Sequence, residues 1–430
     1  MTYKETLDYL FSSAPLFQHI GSGAYKEGLE NTRLLDARFG HPHTAFRTIH
    51  VAGTNGKGSC SHTLAAILQQ AGYKVGLYTS PHLVDFRERI RVNGMPMPEQ
   101  RVIDFVEQER DFFEPLHPSF FELTTALAFL YFKEEKVDVA VVEVGLGGRL
   151  DCTNIIRPDL SIITNISFDH VQFLGNTLPR IATEKAGIIK TGVPVVVGET
   201  AGNSEVRNVF SDKAKEMNAV IHFADEMDYV YSSQAEADGG RIYTTRTLGR
   251  LKGQLGGIYQ EKNTATLLCA IEQLQNSGYR ITEENIRKGF ACVCETTGLR
   301  GRWQIIKKDP LIICDTGHNV AGISYISEQL KQLHAHTLRI VIGMVNDKDV
   351  STVLSLLPEN AVYYFTKASV KRAMPEDDFA RLARKAGLSG RTYAGVKEAF
   401  TQALREASPQ DIVFVGGSSF IVADFLRDCF

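Results

Sequence analysis

Thr48-Ile49-His50-Val51-Ala52-Gly53-Thr54-Asn55-Gly56-Lys57-Gly58-Ser59 is the stretch on which the fold class turns. Its first five residues form an apolar run of strand character. A glycine-rich turn holding a lysine and a hydroxyl follows, and a helical pattern runs over 62–71. Strand, glycine loop, lysine and helix in that order make a cradle for phosphate. Glycines let backbone N–H groups face an anion, the helix N-terminus adds its positive dipole end, and Lys57 adds a point charge. The common form of this loop has Ser or Thr directly after the lysine; here Gly58 intervenes and Ser59 follows. An ordinary strand-to-helix turn accounts for the glycines but not for a lysine inside it. The stretch therefore reads as a nucleoside triphosphate site.

Outward from the loop, apolar runs alternate with helical patterns, as in a parallel sheet covered by helices. Strands are predicted at 74–78, 137–144, 159–164 and 193–197, and helices at 99–113, 122–135, 262–276 and 283–290. Residues 222–254 alternate polar and apolar and read as hairpins. The segment Glu295-Thr296-Thr297-Gly298-Leu299-Arg300-Gly301-Arg302 has two glycines and little apolar content, and reads as a linker. Beyond it the alternation resumes, with strands at 310–314, 338–343, 361–365 and 411–415 and helices at 321–333, 349–357, 376–386, 396–406 and 420–428. This second stretch has a normal α/β domain length of about 130 residues.

A chain of 430 residues is too long for one ordinary domain. Its 47 basic and 50 acidic residues leave a net charge of −3, which makes no electrostatic case for nucleic acid or an anionic membrane. The start, Met1-Thr2-Tyr3-Lys4-Glu5, has no secretory character, and no apolar stretch approaches transmembrane length, so a cytoplasmic protein is expected. Cys60, Cys152, Cys269, Cys292, Cys294, Cys314 and Cys429 include no Cys-x-x-Cys pair and read as reduced thiols rather than a zinc site or a disulfide framework.

Open α/β sheets bind ligands beyond the carboxyl ends of their strands. Glu143 interrupts the apolar run 137–144 and precedes Gly145-Leu146-Gly147-Gly148-Arg149. A carboxylate there can hold Mg²⁺ beside phosphates. Strand 74–78 runs into Thr79-Ser80-Pro81-His82-Leu83, and strand 159–164 into Asn165-Ile166-Ser167-Phe168-Asp169-His170. Ser80 and His170 are each competent metal ligands, although a lone loop histidine is more often structural. Lys185, on the helical pattern Ala182-Thr183-Glu184-Lys185-Ala186-Gly187, reads by itself as a surface lysine. In the second domain, strand 310–314 ends in Asp315-Thr316-Gly317-His318-Asn319, and Arg302 at the end of the linker has the reach for a phosphate.

Taken together, these residues resemble folylpolyglutamate synthase and dihydrofolate synthase, members of the Mur ligase superfamily. The matching pieces are Gly53 to Ser59, Thr79 to Leu83, Ser119-Phe120-Phe121-Glu122, Glu143 to Asp151, Ser167 to His170, Glu184-Lys185-Ala186-Gly187, Arg300-Gly301-Arg302 and Asp315 to Asn319. They keep the family order and span nearly the whole chain. The resemblance implies an α/β protein with a phosphate-loop, Mur-ligase-like parallel-sheet domain over 1–296, a linker at 297–302 and a smaller Rossmann-like glutamate-ligase domain over 303–430.

It also implies roles. Ser80, Glu143 and His170 look like Mg²⁺ ligands. Asn55, Gly56, Lys57, Gly58 and Ser59 match the phosphate loop, and Asn263, Arg302 and Asp315 match nucleotide-contacting positions. Lys185 matches a lysine that the family carbamylates, turning a cation into a metal-orienting anion. Lys57, Lys185 and His170 would be catalytic, and His318 completes the second-domain turn. Glu27, Gly28, Leu29 and Glu30, with Ser119, Phe120, Phe121 and Glu122 and with Leu150, Asp151 and Cys152, fall where the family holds its pterin substrate. There are three departures from the usual pattern: Arg300 where Pro is common, Thr316-Gly317 where Gly-Ala is common, and Cys152 where Ala is common.

The implied activity is ATP-dependent. A carboxylate of dihydropteroate or of a reduced folate is phosphorylated, and the amine of L-glutamate displaces the phosphate to form an amide. A bifunctional, monomeric enzyme is expected. Two rivals have distinct signatures. A peptidoglycan-precursor ligase of the same superfamily carries a domain for its UDP-sugar ahead of the phosphate loop, and here only 52 residues precede Gly53. A phosphate-loop NTPase switch or binding module has switch elements that this chain lacks, and it leaves the Asp315 to Asn319 turn unexplained.

Overall fold

The structure, a computed structural model, describes residues 1–13, 28–200, 202–346 and 348–430. The chain divides into two compact units. The first comprises Met1–Gln234, Ile242–Gln254 and Gln260–Leu299, and the second Ala235–Arg241, Leu255–Tyr259 and Arg300–Phe430.

The first unit is built on an eight-stranded sheet among the described residues. Its strands are β1 (Arg47–Ala52), β2 (Val75–Tyr78), β3 (Ile90–Val92), β4 (Met95–Pro96), β5 (Val139–Glu143), β6 (Leu160–Ile163), β7 (Val195–Val197) and β8 (Ile221–Phe223), in the order β4-β3-β2-β5-β1-β6-β7-β8. The pairs from β2 to β8 are parallel, and β3 and β4 form an antiparallel edge. The run 137–144 lacks polar alternation for a physical reason. In β5, Val139 and Val141 enter one core cluster with Ile49, Leu64, Leu68 and Leu267, while Ala140 and Val142 enter another with Tyr78, Phe105, Phe129 and Phe132. Successive side chains point to opposite faces, so a strand covered on both faces must be apolar throughout.

The same logic shapes the helix Lys57–Gln70, whose residues from Gly58 to Leu68 are all buried. A helix enclosed on every side has no polar face to show. Other helices announce their starts. Ser119 and Glu122 form a reciprocal capping box for the helix Phe120–Glu134, and Thr177 caps the helix Leu178–Ala186. The stretch 222–254 resolves into two parts. Its first residues belong to β8, parallel to β7 at the sheet edge; the rest forms a separate sheet of β9 (Val230–Ala235), β10 (Arg241–Thr245) and β11 (Gly249–Gly253).

The second unit holds a six-stranded sheet of β12 (Gln304–Lys307), β13 (Leu311–Cys314), β14 (Leu338–Ile342), β15 (Val362–Phe365), β16 (Gly390–Thr392) and β17 (Ile412–Gly416), ordered β12-β13-β17-β14-β15-β16. All its pairs are parallel except β12 with β13. Its core gathers Ile313, Ile323, Ile340, Phe365, Phe379 and Phe414. The segment read as a linker opens with a short helix, Val293–Thr297, which Gly298 ends in the left-handed region at φ +71°.

Candidate active site

Strand register alone assembles one edge of the first sheet. Val51 pairs with Glu143, Tyr78 with Val142, and Ala52 with Ile163. Gly53, Glu143, Thr79-Ser80 and Thr164 therefore leave the sheet at the same level, at the carboxyl ends of four parallel strands. Glu143 is only 4 % exposed, and its Oε2 accepts the Ser80 N–H at 3.2 Å. Two of the three expected metal ligands thus lie together. His170 sits on the loop after β6 in the left-handed region at φ +48°, its N–H donating to Asp169.

The loop after β6 clasps the phosphate loop. Thr54 N–H donates to the Asn165 carbonyl at 3.0 Å, and Asn55 N–H to Asn165 Oδ1 at 2.8 Å. Thr164 Oγ1 donates to the Asn55 carbonyl at 2.6 Å, and Asn55 Nδ2 to Ser167 Oγ at 3.2 Å. Two glycines are required by space. A Cβ on Gly53 would lie 1.9 Å from Thr164 Oγ1, and one on Gly56, at φ +86°, would lie 2.4 Å from Asn263 Oδ1. The second contact brings the helix Gln260–Asn276 to the loop. Asn263 donates to Gln260 at 2.9 Å, and Gln260 donates to Ser59 Oγ at 3.1 Å. Asn263 therefore lies against the phosphate loop.

Both expected lysines converge on this loop. Lys57 folds back, its Nζ donating to the carbonyls of Gly53 and Thr54 at 3.1 Å each. Lys185 donates to the same Gly53 carbonyl at 2.8 Å. Read from its own residues Lys185 is a surface lysine; in the structure it is 4 % exposed. The short helix Leu178–Ala186 buries Ile181, Ala182, Lys185 and Ala186 on one face, so helical spacing sets Lys185 inside. Burial, together with the nearby Lys57 charge, brings its ammonium down to about 7, with Asp169 and Asp151 opposing.

The glycines of 145–148 fit that helix end closely. A Cβ on Gly148 would lie 2.7 Å from the Glu184 carbonyl oxygen, and one on Gly187 would lie 2.3 Å from Arg149 Cα. Arg149 N–H donates to the Glu184 carbonyl at 2.8 Å, and Asn154 Nδ2 donates to the carbonyls of Arg149 and Gly187 at 3.0 Å each. The loop after β5 and the helix bearing Lys185 are one packed piece.

The segments expected around the pterin come together only in part as free ligands. Ser119 and Glu122 bond each other, Ser119 N–H to Glu122 Oε2 at 2.6 Å and Glu122 N–H to Ser119 Oγ at 3.2 Å. Phe121 stacks on Tyr78 at 5.7 Å and covers Gly145, and Phe120 packs under the buried Arg89. Asp151 Oδ2 accepts Leu146 N–H at 2.8 Å, and Oδ1 accepts Thr153 N–H at 3.0 Å. Burial raises the Asp151 carboxyl above its ordinary value against those hydrogen bonds. Burial also pushes the Cys152 thiol up, with the charges of Asp151 and Glu122 adding to it, which ties the 119–122 and 150–152 segments to one neighbourhood. Leu150 is half-buried, as are Gly28 and Leu29, and Glu30 is exposed at the start of the helix Glu30–Arg38. Glu27 lies outside the described residues.

In the second unit Asp315 organises its own turn. Its Oδ2 accepts Tyr259 Oη at 2.6 Å and Trp303 N–H at 2.7 Å, and its Oδ1 accepts Gly317 N–H at 2.8 Å. Burial raises its carboxyl, with the Tyr259 bond and the Arg302 charge opposing. Arg302 donates to Thr316 Oγ1 and to the Gly301 carbonyl, so Thr316 gives that guanidinium a partner. His318 Nδ1 sits 3.1 Å from the Thr316 carbonyl.

Sequence reasoning missed several residues of the first-unit site. Thr164 and Asn165 hold the phosphate loop, Gln260 links it to Asn263, and Arg89 donates to His82 Nδ1 at 2.8 Å. Burial lowers Arg89 to about 10. His50 was missed too. It is fully buried in β1, its Nε2 lies 2.8 Å from Thr153 Oγ1, and that hydroxyl donates to Asp151. A histidine inside an apolar strand, three residues ahead of the loop glycine at position 53, was the available signal.

Nearly the whole chain is similar to known proteins. Residues 51–270 match the Mur ligase middle domain, and residues 301–419 match the Mur ligase glutamate ligase domain. The chain is 33 % identical to the dihydrofolate synthase/folylpolyglutamate synthase of Bacillus subtilis, over 94 % of this chain and 95 % of that protein. E. coli FolC in complex with DHPP and ADP superimposes with a TM-score of 0.85 at 32 % identity, over 99 % of this chain and 97 % of that one. A bifunctional folylpolyglutamate synthase/dihydrofolate synthase with Mn, AMPPNP and L-glutamate bound gives a TM-score of 0.81 at 31 % identity, over 99 % and 98 %.

Proposed function

Because the chain belongs to the Mur ligase family, and within it to the folylpolyglutamate synthases/dihydrofolate synthases, we propose that it performs both glutamate additions, to dihydropteroate and to the tail of a reduced folate. It is an ATP-dependent amide-bond-forming ligase that uses a divalent cation and small-molecule substrates. The observation that carries the reading furthest is the convergence of Lys57 and Lys185 on the Gly53 carbonyl, in a glycine loop where a Cβ at Gly53 or Gly56 would collide with Thr164 or Asn263.

The donors suit the proposed Mg²⁺. Glu143 and Ser80, joined by a hydrogen bond at the strand ends, offer hard oxygens of the kind Mg²⁺ takes, and His170 is the third proposed ligand. When bound, the cation supplies charge neutralisation at the phosphates. Lys57 leaves its own loop carbonyls and pairs with the terminal phosphate, while backbone N–H groups from Asn55 to Ser59 orient it. Asn263, Arg302 and Asp315 are proposed as nucleotide-contacting residues. Gly28, Leu29 and Glu30, Ser119 to Glu122 and Leu150 to Cys152 are proposed to hold the pterin, and His318 to act with its turn.

A carboxylate is a poor acyl donor because oxide would have to leave. Transfer of the γ-phosphoryl group from ATP to the substrate carboxylate gives ADP and an acyl phosphate. The glutamate amine then attacks the acyl carbon, phosphate departs with the C–O bonding pair, and the amine proton is lost as the amide forms. The chain's work is positioning and charge neutralisation. Lys185 is proposed to act as a carbamate. Its ammonium, at about 7, is neutral in a large fraction near neutral pH, and only the neutral amine takes up CO₂. We further propose a monomer in the cytoplasm; no described helix is long and apolar enough to cross a membrane.

The test is ADP release by the purified chain with MgATP and L-glutamate, in the presence of dihydropteroate, of tetrahydrofolate, or of neither. Release with each pterin is expected. Release with only one reduces the assignment to that single activity, and equal release without a pterin rejects the folate reading.

A further inference from the structure

The turn leading into β1 gathers three side chains of metal-binding type that the ligase reaction does not use. Asp36, in the last turn of the helix Glu30–Arg38, is 6 % exposed. His41 Nδ1 lies 2.7 Å from its Oδ2, and His43 Nδ1 lies 2.6 Å from its Oδ1. One ligand atom from each of the three residues lies within 4.8 Å of the other two. The two imidazoles meet edge to face at 84°, with centroids 6.2 Å apart.

The backbone is shaped to bring them there. Gly40 and His41 are both left-handed, at φ +64° and +51°, which is uncommon for a residue other than glycine. His41 N–H donates back to the Asp36 carbonyl at 2.9 Å, and Thr44 Oγ1 donates to the His41 carbonyl at 2.8 Å. Lys133 Nζ clamps the carbonyls of Phe39 and Gly40 at 3.2 and 3.1 Å. A single histidine suffices to anchor a buried carboxylate. Here two imidazoles, on alternate residues either side of Pro42, point the same ring nitrogen at the two oxygens of one carboxylate.

We propose that Asp36, His41 and His43 form a binding site for a divalent transition metal ion of the Zn²⁺, Co²⁺ or Ni²⁺ type, with two imidazole nitrogens and one carboxylate oxygen as ligands and water in the remaining positions. Two imidazole donors together favour such ions over Mg²⁺, and the three residues precede β1 (Arg47–Ala52), whereas the phosphate loop follows it. On binding, each ring shifts its proton from Nδ1 to Nε2, and the Nδ1 lone pair turns from the carboxylate to the metal. The ion would tie the end of the helix Glu30–Arg38 to the turn that feeds β1. Nothing in this proposal depends on the folate assignment.

The experiment titrates Co²⁺ into the full chain in excess Mg²⁺ and follows visible d–d absorption and heat of binding, for the unsubstituted protein and for His41→Ala and His43→Ala. Co²⁺ taken up at the phosphate-loop site is common to all three proteins and cancels in the difference. The unsubstituted protein is expected to bind one Co²⁺ more than either variant, or to bind it about tenfold or more tightly. The His41 side chain is 61 % exposed, so its loss leaves the fold and the Mg²⁺-dependent ADP release intact. Identical titrations for all three proteins, or no Co²⁺ uptake beyond the phosphate-loop site, would overturn the proposal.

Discussion

The Lys185 ammonium donates to the Gly53 carbonyl at 2.8 Å, and the Lys57 ammonium donates to the same oxygen at 3.1 Å. Two cations on one carbonyl are unfavourable unless one of them gives up its charge, and burial selects Lys185 for that.

Carbamylation of Lys185 should therefore depend on pH with a definite sign. Its folded value, about 7, is below the ordinary 10.5, so between those values the unfolded chain keeps a proton that the folded chain has released. The stability of the unmodified protein rises with pH across that window, and below about 7 both states are protonated and the full cost of the buried charge is present. Adding bicarbonate as pH climbs through about 7 should give a mass increase equal to one CO₂ on the peptide containing Lys185. Lys185→Ala should lose ligation by about 10²-fold or more; full activity in that variant means that the carbamate has no role.

Lys57→Ala should abolish ligation while leaving the fold intact. Among the described residues its side chain donates to carbonyls of its own loop, at 3.1 Å, so its removal deletes no tertiary contact that these bonds represent. The expected loss in kcat is about 10²-fold or more, with little change in thermal unfolding temperature. Near-normal turnover would remove Lys57 from the mechanism.

Gly148→Ala should damage both stability and activity. The added methyl would sit 2.7 Å from the Glu184 carbonyl oxygen and 3.1 Å from Lys185 Cα, and backbone cannot yield as a flexible side chain does. A loss of about 1–3 kcal/mol in chemical denaturation is expected, together with a larger fall in kcat than Gly395→Ala produces. Gly395 has nothing within 4 Å of its Cβ position and is not left-handed, which makes it the control for an added methyl in open space.

His50 should make the protein acid-labile. Burial, with Lys190 adding to it, lowers its imidazole to about 3 from the ordinary 6.5. As pH falls from 6.5 toward 3 the unfolded chain takes up a proton that the folded chain refuses, and stability declines through that window. His50→Leu removes the titrating group and the partner of Thr153, at a cost of about 1–3 kcal/mol near neutral pH. Denaturant midpoints measured against pH should show a shallower acid slope for the variant; parallel curves would mean that other groups set it.

Much of this arrangement was legible in the residues. The phosphate loop, the double coverage of β5 and the second α/β alternation follow from glycine placement and hydrophobic period, which are local signals. What was not legible is what depends on distance in the chain. Gly56 meets Asn263 across 207 positions, a contact no local pattern announces. Lys185 reads as exposed because lysines usually are, although its spacing from Ile181 and Ala182 already set it on the buried face. Ser119 and Glu122 have a capping-box spacing at the sequence level, and the structure forms that box, so their carboxylate and hydroxyl already have partners within the chain. The antiparallel edge of β3 and β4 rests on strands of three and two residues, too short to impose a period.

The alignment of Ser80, Glu143, Gly53 and Thr164 follows from the ladder register of β1, β2, β5 and β6, whose residues are scattered between Arg47 and Ile163. No contiguous fragment of that sheet holds the cradle, and none of the four strands can be late without leaving a gap in it. Nucleotide capture is thus an all-or-none reporter of sheet completion. A refolding chain should acquire ATP affinity in a single late step, coincident with burial of β5, and ligand-dependent protection should switch on for the four strands together.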